Sequence, residues 1–196
     1  MHAQTVPYLT PDEYLEIERK AEYKSEYLNG RMWPLGGTPF GMAGGKPFHS
    51  IIAINIASEL RMALRGRCII FNSDMRLRVS ETGLDTYPDL AVVCGKPEYA
   101  KGDLLLNPAV LVEVLSHTTE KTDRGVKFDQ YRAIPSLQEY VLISQSEPRV
   151  EIYGSTSEPF WRYRSIREIS GAVRLESVDC EIQMAEIYRD VEFEAE

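Results

Sequence analysis

Two apolar runs of strand length dominate the middle of the chain. Residues 87–94 read Tyr-Pro-Asp-Leu-Ala-Val-Val-Cys, and residues 109–115 read Ala-Val-Leu-Val-Glu-Val-Leu. Short apolar runs rich in β-branched residues and bounded by turn residues predict buried strands. The same reasoning predicts further strands over 68–72, 75–79, 139–144, 150–153, 160–165, 173–175 and 180–182.

Helical patterns alternate with these strands. Thr10, Pro11 and Glu13 form a capping box with proline at the first helical position, which predicts a helix beginning at Pro11. Apolar residues at helical spacing, from Ile52 to Leu60, predict a second helix. In all, helices are predicted over about 11–21, 49–64, 123–133 and 184–189.

The connections carry their own signals. Asn29-Gly30 between two short strands predicts a type I′ hairpin, and the stretch 36–47, rich in Gly and Pro, predicts a loop. No internal repeat or linker interrupts the pattern. The order of elements therefore predicts one α/β (mixed α+β) domain over residues 1–196, with a central mixed sheet flanked by helices.

Composition narrows the class of protein. The net charge of −8 over 196 residues argues against tight, non-specific nucleic-acid binding, because phosphate contacts need clustered Lys and Arg. It leaves room for a local basic groove or for a metal that neutralises the acids. No uncharged apolar run approaches the roughly 20 residues that span a bilayer, and residues 1–7 lack a secretion signal. We therefore expect a cytoplasmic protein without a membrane anchor.

The three cysteines, Cys68, Cys94 and Cys180, lie far apart in the sequence and inside apolar stretches. They form no metal-binding spacing and no even disulfide framework. We therefore expect buried, reduced thiols.

The candidate chemistry starts with two acids in the central strands. Glu113 has apolar neighbours on both sides, where an isolated carboxylate costs several kcal/mol or gives up its charge. Asp89 opens the neighbouring apolar run. Acids kept in such places often serve a metal, a cation or a catalytic task. Together they predict a site for one divalent ion, Mg²⁺ or Mn²⁺, to which the Val114 carbonyl would add a third oxygen.

A phosphodiester-cutting site of this kind also needs a cation beside the attacking water or the phosphate. Leu115 occupies the position two residues after Glu113, so no lysine follows on the strand. The next predicted helix contains Lys127, with Arg124 and Tyr131 at i−3 and i+4 on the same face. If this helix packs over the strand, Lys127 reaches the site from a different backbone position.

Several short segments occur together in a recognisable order. They are Glu26-Tyr27-Leu28-Asn29-Gly30-Arg31, His49, Ser73-Asp74-Met75-Arg76, Tyr87-Pro88-Asp89, Glu113-Val114-Leu115-Ser116, Asp123-Arg124 with Lys127 and Tyr131, and Ser136-Leu137-Gln138-Glu139-Tyr140. With these segments the chain resembles the Uma family of restriction-endonuclease-like proteins, in the PD-(D/E)XK nuclease superfamily. The resemblance extends from Leu9 to about Tyr188 and implies a restriction-endonuclease-like core.

The resemblance also implies roles for individual residues. Asp89 and Glu113 would be the acidic metal ligands, and Lys127 the displaced lysine. Glu26 would be the additional acid that the N-terminal region supplies in this superfamily. One departure is His117, which follows Ser116 where the family usually has proline. It would alter the turn or add a titrating group near the site.

Four further residues are candidates for substrate contact: His49, Asp74, Arg124 and Tyr131. Three of them also have a structural alternative: His49 as a core or helix-end histidine, Asp74 as a turn cap and Tyr131 as core packing. Lys127 could likewise be a solvated helix residue. Asp89 could likewise cap a turn, and Glu113 could pair with Lys127 or Arg124 without any metal. Arg76 and Arg78 alternate along one predicted strand and share a face, which suggests a phosphate-tracking edge.

The combined expectation is a Mg²⁺- or Mn²⁺-dependent endonuclease that hydrolyses DNA. In it Asp89 and Glu113 hold the metal, and Lys127 and Glu26 assist the attacking water. A homodimer is expected, since two-fold dimers are the commonest oligomers. Two alternatives remain open: a non-catalytic binding module that retains the acid pair, and a metal-dependent hydrolase of small phosphodiesters such as nucleotides.

Overall fold

The computed structural model describes residues 8–35, 47–116, 119–157 and 160–193. In chain order its elements are α1 (Pro11–Glu18), β1 (Ser25–Leu28), β2 (Arg31–Pro34), α2 (Pro47–Ala63), β3 (Cys68–Asn72), β4 (Arg76–Val79), β5 (Leu84–Thr86), β6 (Leu90–Cys94), β7 (Tyr99–Ala100), β8 (Leu104–Leu105), β9 (Val110–Leu115), α3 (Glu120–Thr122), a π-helical segment (Asp123–Lys127), α4 (Phe128–Tyr131), β10 (Glu139–Ser144), β11 (Val150–Ser155), β12 (Trp161–Ile166), β13 (Ala172–Leu175), β14 (Cys180–Gln183) and α5 (Met184–Ile187).

The strands form two six-stranded sheets and one hairpin. The central sheet has the order β12-β11-β10-β9-β6-β3, in which only β9 and β10 run parallel. The second sheet has the order β2-β1-β5-β4-β8-β7, with β4 and β8 parallel. Strands β13 and β14 pair only with each other. The architecture confirms the predicted mixed α+β class and adds a second large sheet.

Local signals explain the first elements of the chain. Glu13 Oε2 accepts a 2.8 Å hydrogen bond from the Thr10 amide, and the Glu13 amide donates to Thr10 Oγ1, so the capping box begins α1 as predicted. Asn29 and Gly30 both have positive φ, +49° and +78°, as a type I′ turn requires. The hairpin places Glu26 opposite Trp33.

The two faces of the central sheet bury different partners. On one face, Val112 and Val114 of β9 pack with α2, α5 and the β13–β14 hairpin. On the other face, Leu111 and Leu115 pack with Leu77 of the second sheet and with α4. Alternation along β9 puts Glu113 on this second face, between the two sheets. The acid is therefore enclosed by the second sheet and by the helical connection after β9.

Some predicted elements differ from the structure. Residues 123–133 do not form one α-helix, because α3, the π-helical segment and α4 divide the region 120–131. Strands β5, β7 and β8 were missed, since two or three residues are too few to show a period. Residues 36–46 of the predicted loop lie outside the described residues.

The expectation for two of the cysteines was wrong. Cys68 and Cys94 are direct partners in the antiparallel register of β3 and β6, and a disulfide joins them. Cys94 is exposed rather than buried. Their separation of 26 residues hides a contact that exists only once the two strands pair. Cys180 is buried and free, as expected.

Helix length and hydrophobicity together decide whether a helix can cross a membrane. Within the described parts of the chain, no helix is both long and apolar enough to span a bilayer.

Candidate active site

Asp89 lies against Glu113 because it immediately precedes β6, the strand that pairs with β9. Leu90 is the first residue of β6 and pairs with Val112 of β9, so Asp89 lies just beyond the ladder, opposite Glu113. Asp89 Oδ2 accepts a 2.7 Å hydrogen bond from the Val114 amide. The Asp89 carboxylate therefore accepts from a β9 amide just before β6 begins. The Asp89 amide in turn donates to Glu113 Oε2 at 3.3 Å, which ties the two acids together.

Lys127 and Tyr131 reach the same carboxylate from the helical connection. Lys127 Nζ lies 3.1 Å from Glu113 Oε1, and the Tyr131 hydroxyl donates to that oxygen at 2.9 Å. The side chains of Glu113 and Lys127 are only 5% and 11% exposed. The predicted geometry, in which a helix packs over the strand and presents a displaced lysine, is present in the structure.

Glu26 joins the cluster from the second sheet. Its Oε1 lies 3.8 Å from Lys127 Nζ and accepts a 2.5 Å hydrogen bond from Thr86 Oγ1. Its Oε2 accepts from Trp33 Nε1 at 2.8 Å. The hairpin β1–β2 and strand β5 thus hold the N-terminal acid against the lysine.

Asp123 is a fourth acid of the cluster, and it was not among the predicted site residues. Its Oδ1 lies 3.1 Å from Lys127 Nζ, and its side chain is 2% exposed. The sequence carried a signal for it, because positions 123 and 127 are four apart in a predicted helix and bear opposite charges. Lys127 is therefore surrounded by Glu26, Glu113 and Asp123.

His49 marks the more accessible side of the cluster. Its Nε2 lies 3.2 Å from Asp89 Oδ2, and the two side chains are 25% and 18% exposed. Glu26, Glu113, Asp123 and Lys127 are all more deeply enclosed, so Asp89 and His49 form the more accessible side of the cluster among the described residues. The start of α2 thus supplies a hydrogen-bonding group at the entrance.

The cluster contains more negative than positive groups, with four carboxyl groups facing one lysine and one histidine. Burial raises the pKa of Glu113 to about 8; Lys127 opposes this shift, and Asp123 and Asp89 add to it. Burial likewise raises the pKa of Asp123. Burial lowers the pKa of Lys127, but its three acidic neighbours outweigh burial and leave that pKa well above its usual value. The hydrogen bond to Asp89 raises the pKa of His49.

The donor set fits a hard divalent cation better than a zinc-type cage. Among the described residues, no group of three or more His, Cys, Asp or Glu side chains has the arrangement of a metal centre. Mg²⁺ needs fewer protein ligands, typically one or two carboxylates completed by water and substrate oxygens. Asp89, on the more accessible side, lies beside the buried Glu113, and the excess of carboxyl groups over cations suits a cation there.

Val114 contacts the acid pair through its backbone, since its amide donates to Asp89 Oδ2. The role of its carbonyl as a metal ligand stays a prediction. His117, the departure from the family pattern, lies outside the described residues.

Two predicted contact residues lie in other clusters. Asp74 is 75% exposed and pairs with Lys24 at 2.7 Å. Arg124 contacts Glu120 at 2.9 Å and also pairs with Glu151. With its i→i+5 hydrogen bonds, a π-helix turns less per residue than an α-helix. Arg124, three positions before Lys127, therefore lies at a larger angle from Lys127 around the helix axis than it would in an α-helix. Arg124 therefore leaves the face that Lys127 and Tyr131 share.

The proposed phosphate-tracking edge was also wrong. Arg78 forms a two-pronged ion pair with the fully buried Asp85. Arg76 is buried, donates to the Tyr87 hydroxyl at 2.8 Å and lies 3.4 Å from Asp103. Acids within the chain neutralise both guanidinium groups, which therefore stabilise the second sheet.

The fold belongs to the class of nuclease-like α+β proteins. A crystal structure from Anabaena variabilis, described as a putative nuclease belonging to DUF820, superposes with a TM-score of 0.69 at 18% identity. The match covers 92% of this chain and 97% of that one. This likeness bears on the fold, and it confirms the fold class inferred from the sequence.

Sequence comparison identifies the family. The model of the Uma2 family, described as "Putative restriction endonuclease", matches residues 11–185, and the chain belongs to this family. Two Synechocystis proteins are similar over most of their length. "Uncharacterized protein slr1290" is 31% identical over 98% of both chains, and "Uncharacterized protein sll1609" is 35% identical over 82% of this chain and 89% of its own. The resemblance inferred from the sequence is confirmed.

Proposed function

We propose that the chain is a Mg²⁺- or Mn²⁺-dependent endonuclease that hydrolyses phosphodiester bonds of DNA. The observation that carries the proposal is the pairing of Asp89, just before β6, with the buried Glu113 of β9, with Lys127 3.1 Å from Glu113. Membership of the Uma2 family, described as "Putative restriction endonuclease", supports the same class of reaction.

Asp89 and Glu113 would hold the cation through their carboxylate oxygens. Bound there, a divalent cation would activate a coordinated water and stabilise negative charge on the phosphoryl oxygens. The remaining coordination positions would be filled by water and by phosphate oxygens of the substrate. Such a cation also offsets the surplus negative charge of the acid cluster.

Lys127 would orient the attacking water or donate to a phosphate oxygen. Its three acidic neighbours hold the ammonium charged and fix its position, so Lys127 acts as a donor rather than a base. Glu26 shares the lysine and would assist through it. His49, at the rim beside Asp89, would contact the incoming phosphate when protonated.

The test is cleavage of supercoiled plasmid by metal-free protein supplemented with MnCl₂ or MgCl₂. We expect wild type to nick the plasmid and Glu113→Gln to be inactive. Asp129→Asn, which alters an exposed acid on α4, serves as the control and should cleave like wild type. Metal-dependent loss of plasmid that persists in Glu113→Gln would indicate a contaminating nuclease and contradict the proposal.

Two further assays, with the same protein and metals, distinguish the two alternative functions. A hydrolase of small phosphodiesters would cleave bis(p-nitrophenyl) phosphate, and plasmid would not compete with that substrate. A binding module would retain plasmid in a mobility shift without cutting it at any metal concentration. Either result would replace the endonuclease proposal.

A further inference from the structure

The outer strands of the two six-stranded sheets differ in how they are protected. An exposed edge with unpaired backbone groups invites another strand, and proteins usually block it with charges, proline or very short strands. Strand β12 carries Arg162 and Arg164, and β2 begins at Arg31 and ends at Pro34. Strand β7 has two residues. Three of the four edge strands, β12, β2 and β7, are therefore protected in one of these ways.

Strand β3 is the exception. It is the last strand of the central sheet, and its sequence Cys-Ile-Ile-Phe-Asn contains neither a charge nor a proline. Ile69 is 46% exposed. The disulfide from Cys68 to Cys94 fastens this strand to β6, so the edge is held in place. A five-residue apolar edge of this kind is suited to pairing with another strand.

The register identifies which backbone groups of β3 point outward. The Cα atoms of Cys68 and Cys94 are 4.1 Å apart, the short spacing of a pair that is not hydrogen-bonded across the strands. Because such pairs alternate, the N–H and C=O groups of Cys68, Ile70 and Asn72 face away from β6. Those of Ile69 and Phe71 face the sheet.

Two of the outward groups are already satisfied inside the chain. The Cys68 amide donates to the Leu64 carbonyl at 3.1 Å, and the Asn72 carbonyl accepts from Met75 at 3.0 Å. The outward groups left for a partner strand are the N–H and C=O of Ile70, the Asn72 N–H and the Cys68 C=O. Among the described residues, none lies on that side of β3 to bond them, because the sheet ends there.

We propose that β3 pairs antiparallel with β3 of a second copy, about a two-fold axis at Ile70. In this register each Ile70 amide donates to the Ile70 carbonyl of the other copy. Each Asn72 amide donates to the Cys68 carbonyl of the other copy. The four groups left free on one chain thus complement the same four on another, as a closed two-fold interface requires.

Side chains fit the same register. With Ile70 on the axis, Ile69 of one copy lies directly opposite Phe71 of the other, on one face of the sheet. This pair belongs to the class whose side chains approach most closely, and an aromatic residue opposite a β-branched one is a favourable cross-strand pair. The pairing occurs twice and covers the exposed Ile69. The result is a continuous twelve-stranded sheet.

The first test is the mass of the full chain in solution, measured by light scattering or sedimentation equilibrium. Wild type should have about twice the mass of one 22.3 kDa chain. Asn72→Pro removes the exposed donor and should raise the dimer dissociation constant at least tenfold. Asn72→Ala keeps the amide and should remain dimeric. The dimer does not depend on catalysis, so its absence would leave the endonuclease proposal untouched.

A second pair of variants tests the same interface in case Asn72→Pro fails to fold. Ile69→Lys places a charge opposite Phe71 of the second copy and near the same charge at position 69 of that copy. The variant should be a folded monomer. Ile169→Lys changes an isoleucine of similar exposure away from β3, and should stay dimeric. Wild type that is monomeric at about 100 µM would overturn the proposal. So would a dimer that survives in both folded Asn72→Pro and folded Ile69→Lys.

Discussion

At the scale of residues, the arrangement around Lys127 is unusual for a structural ion pair. One ammonium faces three buried carboxylates, from Glu26, Glu113 and Asp123, and Asp89 lies beside Glu113. A buried ion pair gives little net stability, and every additional buried acid adds desolvation cost. This excess of carboxyl groups over cations is an observation on which the proposed cation site rests.

Asp123 should act by positioning Lys127 rather than by binding the metal. Asp123→Asn keeps the shape of the side chain but removes the charge that holds Nζ at 3.1 Å. We expect plasmid cleavage to slow by about tenfold or more, because small displacements of a catalytic group are costly. The Mn²⁺ midpoint should change by less than about threefold.

Asp129→Asn is the matched control for that variant, since Asp129 is an exposed acid a short distance along the chain. Cleavage at the wild-type rate by Asp123→Asn would contradict the positioning role. Complete loss of Mn²⁺ binding would instead make Asp123 a ligand.

Glu113 should make the metal-free protein less stable as the pH rises. Its pKa in the folded chain is about 8, above the value of 4.5 expected when unfolded. The folded state therefore retains a proton that the unfolded state releases, and stability is lost between about pH 4.5 and pH 8. Glu113→Gln removes this titration.

The measurement is the melting temperature of both proteins in EDTA at pH 5 and pH 9. Each unit of pKa difference corresponds to about 1.4 kcal/mol. Even one unit of this difference should raise the melting temperature of Glu113→Gln relative to wild type by roughly 3–5 °C over that range. A difference between the two proteins that does not change with pH would show that Glu113 is not buried as a carboxylic acid.

At the scale of elements, the helical connection after β9 decides which side chains reach the acids. Lys127, the last residue of the π-helical segment, and Tyr131 of α4 both reach Glu113, whereas Arg124, earlier in the π-helical segment, pairs with Glu151. Short π-helical segments often occur at functional sites. A periodic sequence pattern does not reveal the change from α-helical to π-helical winding. The position of Lys127 near Glu113 could therefore be predicted, but the direction of the Arg124 side chain could not.

The disulfide between β3 and β6 should contribute substantially to stability. It closes a loop between residues 26 apart, for which the chain-entropy model gives about 3.5 kcal/mol. Reduction should lower the melting temperature by roughly 7–14 °C. The double variant Cys68→Ser, Cys94→Ser should melt at the same temperature with and without reductant. A melting temperature unchanged by reduction, with three free thiols counted, would contradict the estimate.

Sequence reasoning succeeded where the signal is local. The capping box at Thr10, the Asn29-Gly30 turn and the apolar runs of β6, β9 and β10 all specify their own structure, and the predicted elements are present. Strands β5, β7 and β8 and the disulfide depend on register between distant segments. Composition and spacing carry no information on such pairings, so they were missed.

At the scale of the whole molecule, the site lies between the two sheets rather than on one surface. Glu113 comes from the central sheet, Glu26 from the second sheet, and Lys127 from the connection that crosses between them. The basic strand residues Arg76 and Arg78 serve the interior of the second sheet. In the proposed endonuclease, contact with the phosphates of DNA would therefore come from the cation, His49 and Lys127 rather than from these two arginines.

The most direct measurement is the melting temperature as a function of MnCl₂ concentration for wild type and Glu113→Gln. A cation at ten times its dissociation constant adds about 1.4 kcal/mol to the stability of the folded state, a rise of roughly 3–5 °C for a chain of this size. We predict a saturable rise in wild type that Glu113→Gln lacks. An identical response in the two proteins, or none in either, would contradict a cation site at Asp89 and Glu113.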